Sequence, residues 1–321
     1  MREPPAFWQE EDALAARLLA PLGAVYGWAT VRRIARAEPY RASVPVVCVG
    51  NASLGGVGKT PFALMLLERL TAMGRRPHAL TRGYGGTERG PHRVGADDPP
   101  ARVGDEALLL SAAAPVWISA DRAAGARAAA ADGADMIVMD DGFQNPGLAK
   151  DLSFLLADAE ALFGNGHVFP AGPLREPPEA AAARADALVS VGGPPPDALK
   201  VLAGGKRLVE ARLALDADAL PDGPVHAFAG IGRPERFFSA LEDADLTVAA
   251  RRAFPDHHPY TEDDLAPLIG AASAAGRPLV TTAKDFVRVP PSQQAAITPL
   301  PARMVLPPGD EAWLHERLEA L

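Results

Sequence analysis

Residues 44–70 read VPVVCVGNASLGGVGKTPFALMLLERL. The stretch is an apolar run, then a glycine-rich turn closing on Gly58-Lys59-Thr60, then a helical pattern. Pro61 sits in the helix's first turn and Gly74 lies past its end, where those residues belong. A helix amino terminus offers unpaired N–H groups and the positive end of a dipole, so anions settle there. Glycines let the preceding backbone wrap an anion without Cβ clashes. The lysine adds a point charge on the outer phosphates, and a Ser or Thr hydroxyl ligates magnesium. Ser53, Leu54, Gly55, Gly56, Val57, Gly58, Lys59 and Thr60 are therefore expected to cradle a nucleotide's phosphates. The pattern departs from the general G-x4-G-K-[ST] form, because Ser53 stands where the first glycine would.

Outward from this stretch, apolar runs alternate with helical patterns. SVPVVCVG, RPHALTRG, PVWISA, ADMIVMDDGFQ, LSFLLADA and ALVSVG read as strands, separated by helical segments such as DEALLLSAAA and DRAAGARAAAADG. Strands that are apolar throughout and alternate with helices imply a mostly parallel sheet covered on both faces. The fold class expected is thus α/β of the P-loop nucleotide-binding kind, followed by a smaller carboxyl-terminal α/β domain. The Pro/Gly-rich break at 192–206 marks the boundary, giving residues 41–207 to the nucleotide-binding domain and 208–321 to the second. Residues 1–40 form a separate amino-terminal segment.

The bulk composition narrows the class. Of 321 residues, 48% are hydrophobic and 22% charged, which is globular. A net charge of -8 argues against a nucleic-acid partner. The single cysteine, Cys48, cannot form an internal disulfide, in keeping with a reducing compartment. The amino terminus lacks the basic start of a secretory signal. Leu18 to Val31 carries no charge but falls short of the ~20 residues that cross a bilayer. It ends in Arg32, Arg33 and Arg36, with Tyr26 and Trp28 nearby, which suits either a helix on an anionic membrane surface or one packed on the protein's own core.

Two carboxylates, Asp140 and Asp141, follow a buried strand directly, at the sheet end that lines ligand crevices. Either can hold magnesium for the outer phosphates. Taken alone, Asp105 reads equally well as the cap of the helix EALLLSAAA, and His257 with His258 as a solvated pair.

Seven motifs in order, GNASLGGVGKTP, TRGYGG, VGDEALLL, DDGFQ, FPAGPLRE, FPDHHPY and TAKD, span residues from about 45 to 286. Together they resemble the tetraacyldisaccharide 4'-kinases of lipid A biosynthesis. The resemblance implies transfer of the γ-phosphoryl of ATP, with Mg2+, to the 4'-hydroxyl of a tetraacyldisaccharide 1-phosphate, giving lipid IVA. The expected setting is the cytoplasmic face of the bacterial inner membrane, with a peripheral, monomeric enzyme. It further implies Asp105 and His257 as the catalytic pair alongside Lys59, and a mobile lid at PAGPLRE. Glu176 would reach the metal with Thr60, Asp140 and Asp141, and Arg175 and Gln144 would lie near the substrate. The family often reads DDGFQH, where this chain has Asn145. A switch or scaffold ATPase related to metal-insertion or partitioning proteins and a soluble small-molecule kinase are the competing readings. The first often carries extra Cys/His metal ligands or an early loop lysine, where Leu54 and Gly55 stand here; the second needs no membrane surface.

Overall fold

The computed structural model describes residues 5–10, 13–215 and 223–321. These fall into two units: one running to Arg212 and resuming at Met304–Leu321, the other Leu213–Arg303. The first opens with a 3-10 turn at Ala6–Gln9 and α1 (Leu14–Ala35). It continues through β1 (Val46–Asn51), α2 (Lys59–Ala72), β2 (Pro77–Thr81), β3 (His92–Arg93), α3 (Pro100–Val103), α4 (Asp105–Ser111) and β4 (Val116–Ile118). Then come α5 (Arg122–Ala131), β5 (Met136–Asp140), β6 (Leu152–Asp158), α6 (Pro178–Arg184), β7 (Ala187–Val191), α7 (Asp197–Ala203) and β8 (Arg207–Leu215). The second unit holds β9 (Val225–Ala229), α8 (Pro234–Asp243), β10 (Val248–Ala253), α9 (Glu262–Ala274), β11 (Leu279–Thr282), α10 (Ala283–Phe286) and β12 (Thr298–Leu300). The chain ends with β13 (Ala302–Val305) and α11 (Pro308–Glu319).

The large sheet has nine strands in the order β13-β8-β7-β6-β1-β5-β2-β4-β3. The pairings from β8 through β4 are parallel, and β3 adds antiparallel to the edge. Successive residues of β1 serve opposite faces, as a strand's period of two requires. Val47 and Val49 join α2, α4 and α11 in one core, while Val46 and Cys48 join α5, α6 and α7 in the other. Phe62, Leu66, Leu67 and Leu70 of α2 are fully buried, each stabilising by about 1.5–3 kcal/mol. On the opposite face α5 and α6 present Ala126, Ala129, Ala181 and Ala182, small enough for close helix-on-sheet approach. The second unit repeats the plan in miniature: a parallel sheet ordered β10-β9-β11-β12, with α8 on one face and α9 on the other.

The boundary differs from the one expected. The break at 192–206 is not a linker, because Asp197–Ala203 forms α7 and β8 continues the first sheet beside β7. Nor does the second unit extend to residue 321, since Met304, Leu306, Leu314 and Leu318 close the first unit's core. Pro and Gly there serve tight turns around a short helix, which composition cannot distinguish from a tether.

Within the amino-terminal segment, α1 is a 22-residue helix that, by length and mean hydropathy (1.3), would suffice to cross a membrane. Its faces are inverted relative to a core helix. Ala16, Gly23, Gly27 and Thr30 face inward, while Leu14 (72% exposed), Leu18 (71%), Leu22, Val25 and Trp28 face out. Gly23 is needed here, since a Cβ on it would meet Val168 O at 2.5 Å. The loop α1 leans on is the one that carries FPAGPLRE. Trp8 donates to Pro170 O at 3.2 Å, and Trp8 and Tyr26 both pack edge-on against Phe169.

Candidate active site

The parallel register sets Val49 of β1 opposite Asp140 of β5, so both strand ends open onto the same turn. That turn enters α2 through Gly58, the N-cap, at φ 84, and Gly55 sits at φ 123. Both conformations penalise any side chain. Ser53 is outside that region and instead pairs its backbone with Leu174, so the position needs no glycine. Lys59 Nζ lies 3.3 Å from Gly55 O and 3.8 Å from Asp141 Oδ1.

Thr60 Oγ1 donates to Asp140 Oδ2 at 2.9 Å, and both residues are buried. Asp140 Oδ1, equally buried, has no hydrogen-bond partner. Burial, reinforced by the charges of Glu106 and Asp141, pushes the Asp140 carboxyl up to about 7. A hydroxyl oxygen beside an orphaned carboxylate oxygen is the donor chemistry a magnesium ion takes. Among the described residues no group of three or more His, Cys, Asp or Glu could hold a metal by itself. Thr60 and Asp140 fit the role expected of them.

Asp141 answers which of the two acids turns elsewhere. It adopts a left-handed φ of 50, and its side chain takes both Arg175 Nη1 (2.9 Å) and Nη2 (3.2 Å). Burial alone would raise its carboxyl, but Lys59 and Arg175 overcome that and hold it below the usual range. Arg175 is thus a clamp on the acidic turn, and its nearest company is Gln144, whose Oε1 accepts from Nη1 at 3.2 Å. Gln144 Nε2 donates to Asn51 O (2.8 Å) and to Glu176 Oε1 (3.0 Å).

Glu176 is held by an arginine. It is fully buried, and Arg184 Nη2 takes both carboxylate oxygens at 2.7 and 2.8 Å. Here it ties α6 to the acidic turn rather than to Thr60 or Asp140. The segment expected to be a lid is docked, with Leu54 N donating to Pro173 O (2.6 Å) and Arg175 N to Ala52 O (2.7 Å). Asn145 spends its side chain locally, accepting from Gly147 N at 3.0 Å, so the amide shapes its own turn.

Asp105 is buried at the start of α4 but does not cap it. Gly104 is the N-cap, at φ 85, and Asp105 is the first residue of the helix proper. Only glycine fits at 104, because a Cβ would stand 2.3 Å from Tyr84 O. The TRGYGG turn is therefore pressed against the GDE helix start.

In the second unit His257 has a left-handed φ of 57, strained for a non-glycine residue. Its backbone N–H donates to Gly230 O at 3.0 Å, and its ring Nε2 lies 3.3 Å from Lys284 Nζ. His258 is occupied structurally, bonded to Asp264 at 3.1 Å and stacked on Phe254.

The family described as LpxK, tetraacyldisaccharide-1-P 4'-kinase, matches residues 15–319. The chain belongs to the tetraacyldisaccharide-1-P 4'-kinase family. It is 51% identical to a tetraacyldisaccharide 4'-kinase of Paramagnetospirillum magneticum over 92% of each chain. It is 49% identical to the one from Methylobacterium sp. (strain 4-46) over 100% of this chain and 98% of that one. Among solved structures it is similar to LpxK from Aquifex aeolicus in complex with ATP, at 26% identity and a TM-score of 0.76. That match covers 95% of this chain and 98% of that one.

Three further groups of this 4'-kinase family member have no role that the sequence by itself marks. Glu106 lies near enough for its charge to bear on Asp140, and its only signal was adjacency to Asp105. Asn51 is fully buried at the end of β1, with Oδ1 unpartnered beside the phosphate loop. Arg122 is buried at the start of α5, its guanidinium pulled down to about 10 by burial and by Arg82, with Asp141 opposing. A buried arginine within an alanine-rich helix carries no pattern that marks it in sequence.

Proposed function

We propose that the chain transfers the γ-phosphoryl of ATP to the 4'-hydroxyl of a tetraacyldisaccharide 1-phosphate, forming lipid IVA and ADP. The observation that carries this reading is the Thr60–Asp140 bond with its orphaned Oδ1 at the mouth of a phosphate loop, in a member of this kinase family. The ATP complex of the Aquifex aeolicus relative supports the same donor here. Gly55 to Thr60 hold the phosphates through backbone N–H groups, the α2 dipole and the Lys59 charge. Magnesium, when bound, would neutralise charge between the outer phosphates, held by Thr60 and Asp140. Arg175 keeps Asp141 oriented beside Lys59. Asp105 accepts the proton of the 4'-hydroxyl as its oxygen forms the new P–O bond and the β–γ bridging bond breaks toward ADP. His257 orients that carboxylate. Purified protein, labelled ATP and the disaccharide 1-phosphate lipid test the reading: label must appear in the lipid, and label remaining only in ATP or free phosphate rejects it.

The enzyme acts as a monomer at the cytoplasmic face of the inner membrane. What supports the location is the outward apolar stripe of α1, with Arg32 and Arg33 in its last turn. Because the opposite face packs on the protein, α1 lies along the surface instead of spanning it. Replacing Leu14, Leu18 and Leu22 by Ser should weaken binding to anionic vesicles by on the order of 100-fold. The melting temperature should barely move, since exposed positions contribute little to folding. Unchanged cosedimentation of the triple variant would rule out the membrane role.

A further inference from the structure

His257 stands beside a polar cluster of the second unit, and two of its neighbours have no part in the reaction as proposed. Asp285 is fully buried and ties the cluster together. Its Oδ1 accepts from Gly230 N (2.9 Å), Tyr260 O–H (2.9 Å) and Arg288, and its Oδ2 accepts from Thr282 Oγ1 (2.6 Å). Burial and the adjacent Asp285 push the Tyr260 phenol far up, so it stays a donor. Gly230 is also the residue whose carbonyl receives the His257 N–H and Arg288 Nη2. One carboxylate thus fixes both the loop that carries His257 and the turn that carries Lys284.

That arrangement sets Lys284 Nζ 3.3 Å from His257 Nε2. An ammonium has three donors and no acceptor, so the bond requires a lone pair on Nε2. The ring proton then belongs on Nδ1. A competitor is present: Asp256 Oδ1 lies 3.8 Å from the same nitrogen and is buried without a hydrogen-bond partner. Without the lysine, a proton on Nε2 would be attracted by that carboxylate and would turn Nδ1 into an acceptor. An acceptor cannot orient a carboxylate base.

We propose that Lys284 is a positioning residue for the kinase reaction, donating to His257 Nε2 and thereby holding the imidazole as the Nδ1–H tautomer against Asp256. This leaves Nδ1–H as the ring's donor to the Asp105 carboxylate, and so rests on the proposed pairing of those two residues. A tautomer set by the hydrogen bond at the other ring nitrogen is general histidine behaviour, and the wrong tautomer is expensive where a carboxylate and an imidazole work together.

The test uses the full chain. Long-range nitrogen–proton correlations of the His257 ring, assigned by difference against His257→Gln, should show bare Nε2 and protonated Nδ1. In Lys284→Met the proton should move to Nε2. Turnover of Lys284→Met should fall by on the order of 10- to 100-fold with KM for ATP within about twofold. Lys284→Gln, which keeps an N–H donor, should recover most of it. Adding Lys284→Met to His257→Ala should change nothing further, because the lysine acts only through the ring. A protonated Nε2 in the wild type overturns the proposal. So does a Lys284→Met loss that multiplies with the His257→Ala loss, which would mean the lysine touches phosphate itself. Wild-type turnover in His257→Ala would instead bring down the Asp105–His257 reading, while the ring spectra still decide the lysine's bond.

Discussion

Asp140→Asn should abolish turnover and yet leave the metal-free protein more stable at pH 8. The Asp140 carboxyl is buried, bonded to Thr60 through one oxygen only, and pushed up to about 7 by burial, then by Glu106 and Asp141. Its folded value lies above the unfolded one, so the folded protein keeps a proton that the unfolded chain releases between about pH 4 and 7. Stability of the metal-free protein therefore falls as pH rises through that window, and above it the full penalty of a buried, crowded charge remains. Asparagine removes the charge and can still meet Thr60. The gain should be on the order of 1–3 kcal/mol at pH 8, several degrees in melting temperature, and should shrink toward zero at pH 4. Turnover should drop by on the order of 1,000-fold, because the carboxylate is what would hold the magnesium ion that neutralises charge at the outer phosphates. Calorimetry with a chelator present, at both pH values, reads the first effect. An unchanged or lower melting temperature at pH 8 would show that the charge is compensated in a way the geometry does not reveal.

The second large effect belongs to Asp105 and His257. Either residue changed to Ala should lower kcat by about 100- to 10,000-fold, the range spanned by positioned acid–base groups. Affinity for ATP should persist, since Lys59, Gly58 and the α2 amino terminus are untouched. The double variant should be no worse than the poorer single one, as expected of groups acting as one device. Structure separates this from simple unfolding at Asp105: Gly104 is the N-cap of α4, so an alanine next to it removes no cap. Melting temperature close to wild type with collapsed kcat is the expected pair of readings. Wild-type turnover in either single variant sinks the assignment.

Much of the nucleotide half was legible before any coordinates. β5, β6 and β7 fall within the apolar runs at 134–144, 152–159 and 187–192, β1 overruns the one at 43–50 by a single residue, and α2 starts where the lysine follows the last glycine. Thr60 and the acidic pair stood out by their places at a helix start and a strand end, but that Thr60 bonds Asp140, at 2.9 Å, and not Asp141 was left open. Two features had no such local signal. Glu176 meets Arg184, eight residues on at the end of α6. The domain boundary was assigned by Pro and Gly content, but what decides it is where Leu314 and Leu318 of α11 find a core. No local pattern encodes either fact.

The sequence by itself determined the phosphate loop, the parallel sheet and the acidic turn. It could, because each rests on local rules: glycine alone tolerates the left-handed backbone, a helix start exposes its N–H groups, and a doubly covered strand must be apolar on both sides. Tertiary structure alone decided which side chains meet: Arg175 with Asp141, Arg184 with Glu176, Lys284 with His257, and the small face of α1 with Val168. Such contacts join residues far apart in the chain or hinge on which way a side chain turns. Their identity is set by how packed elements are aligned, a property of the whole core that no single segment carries.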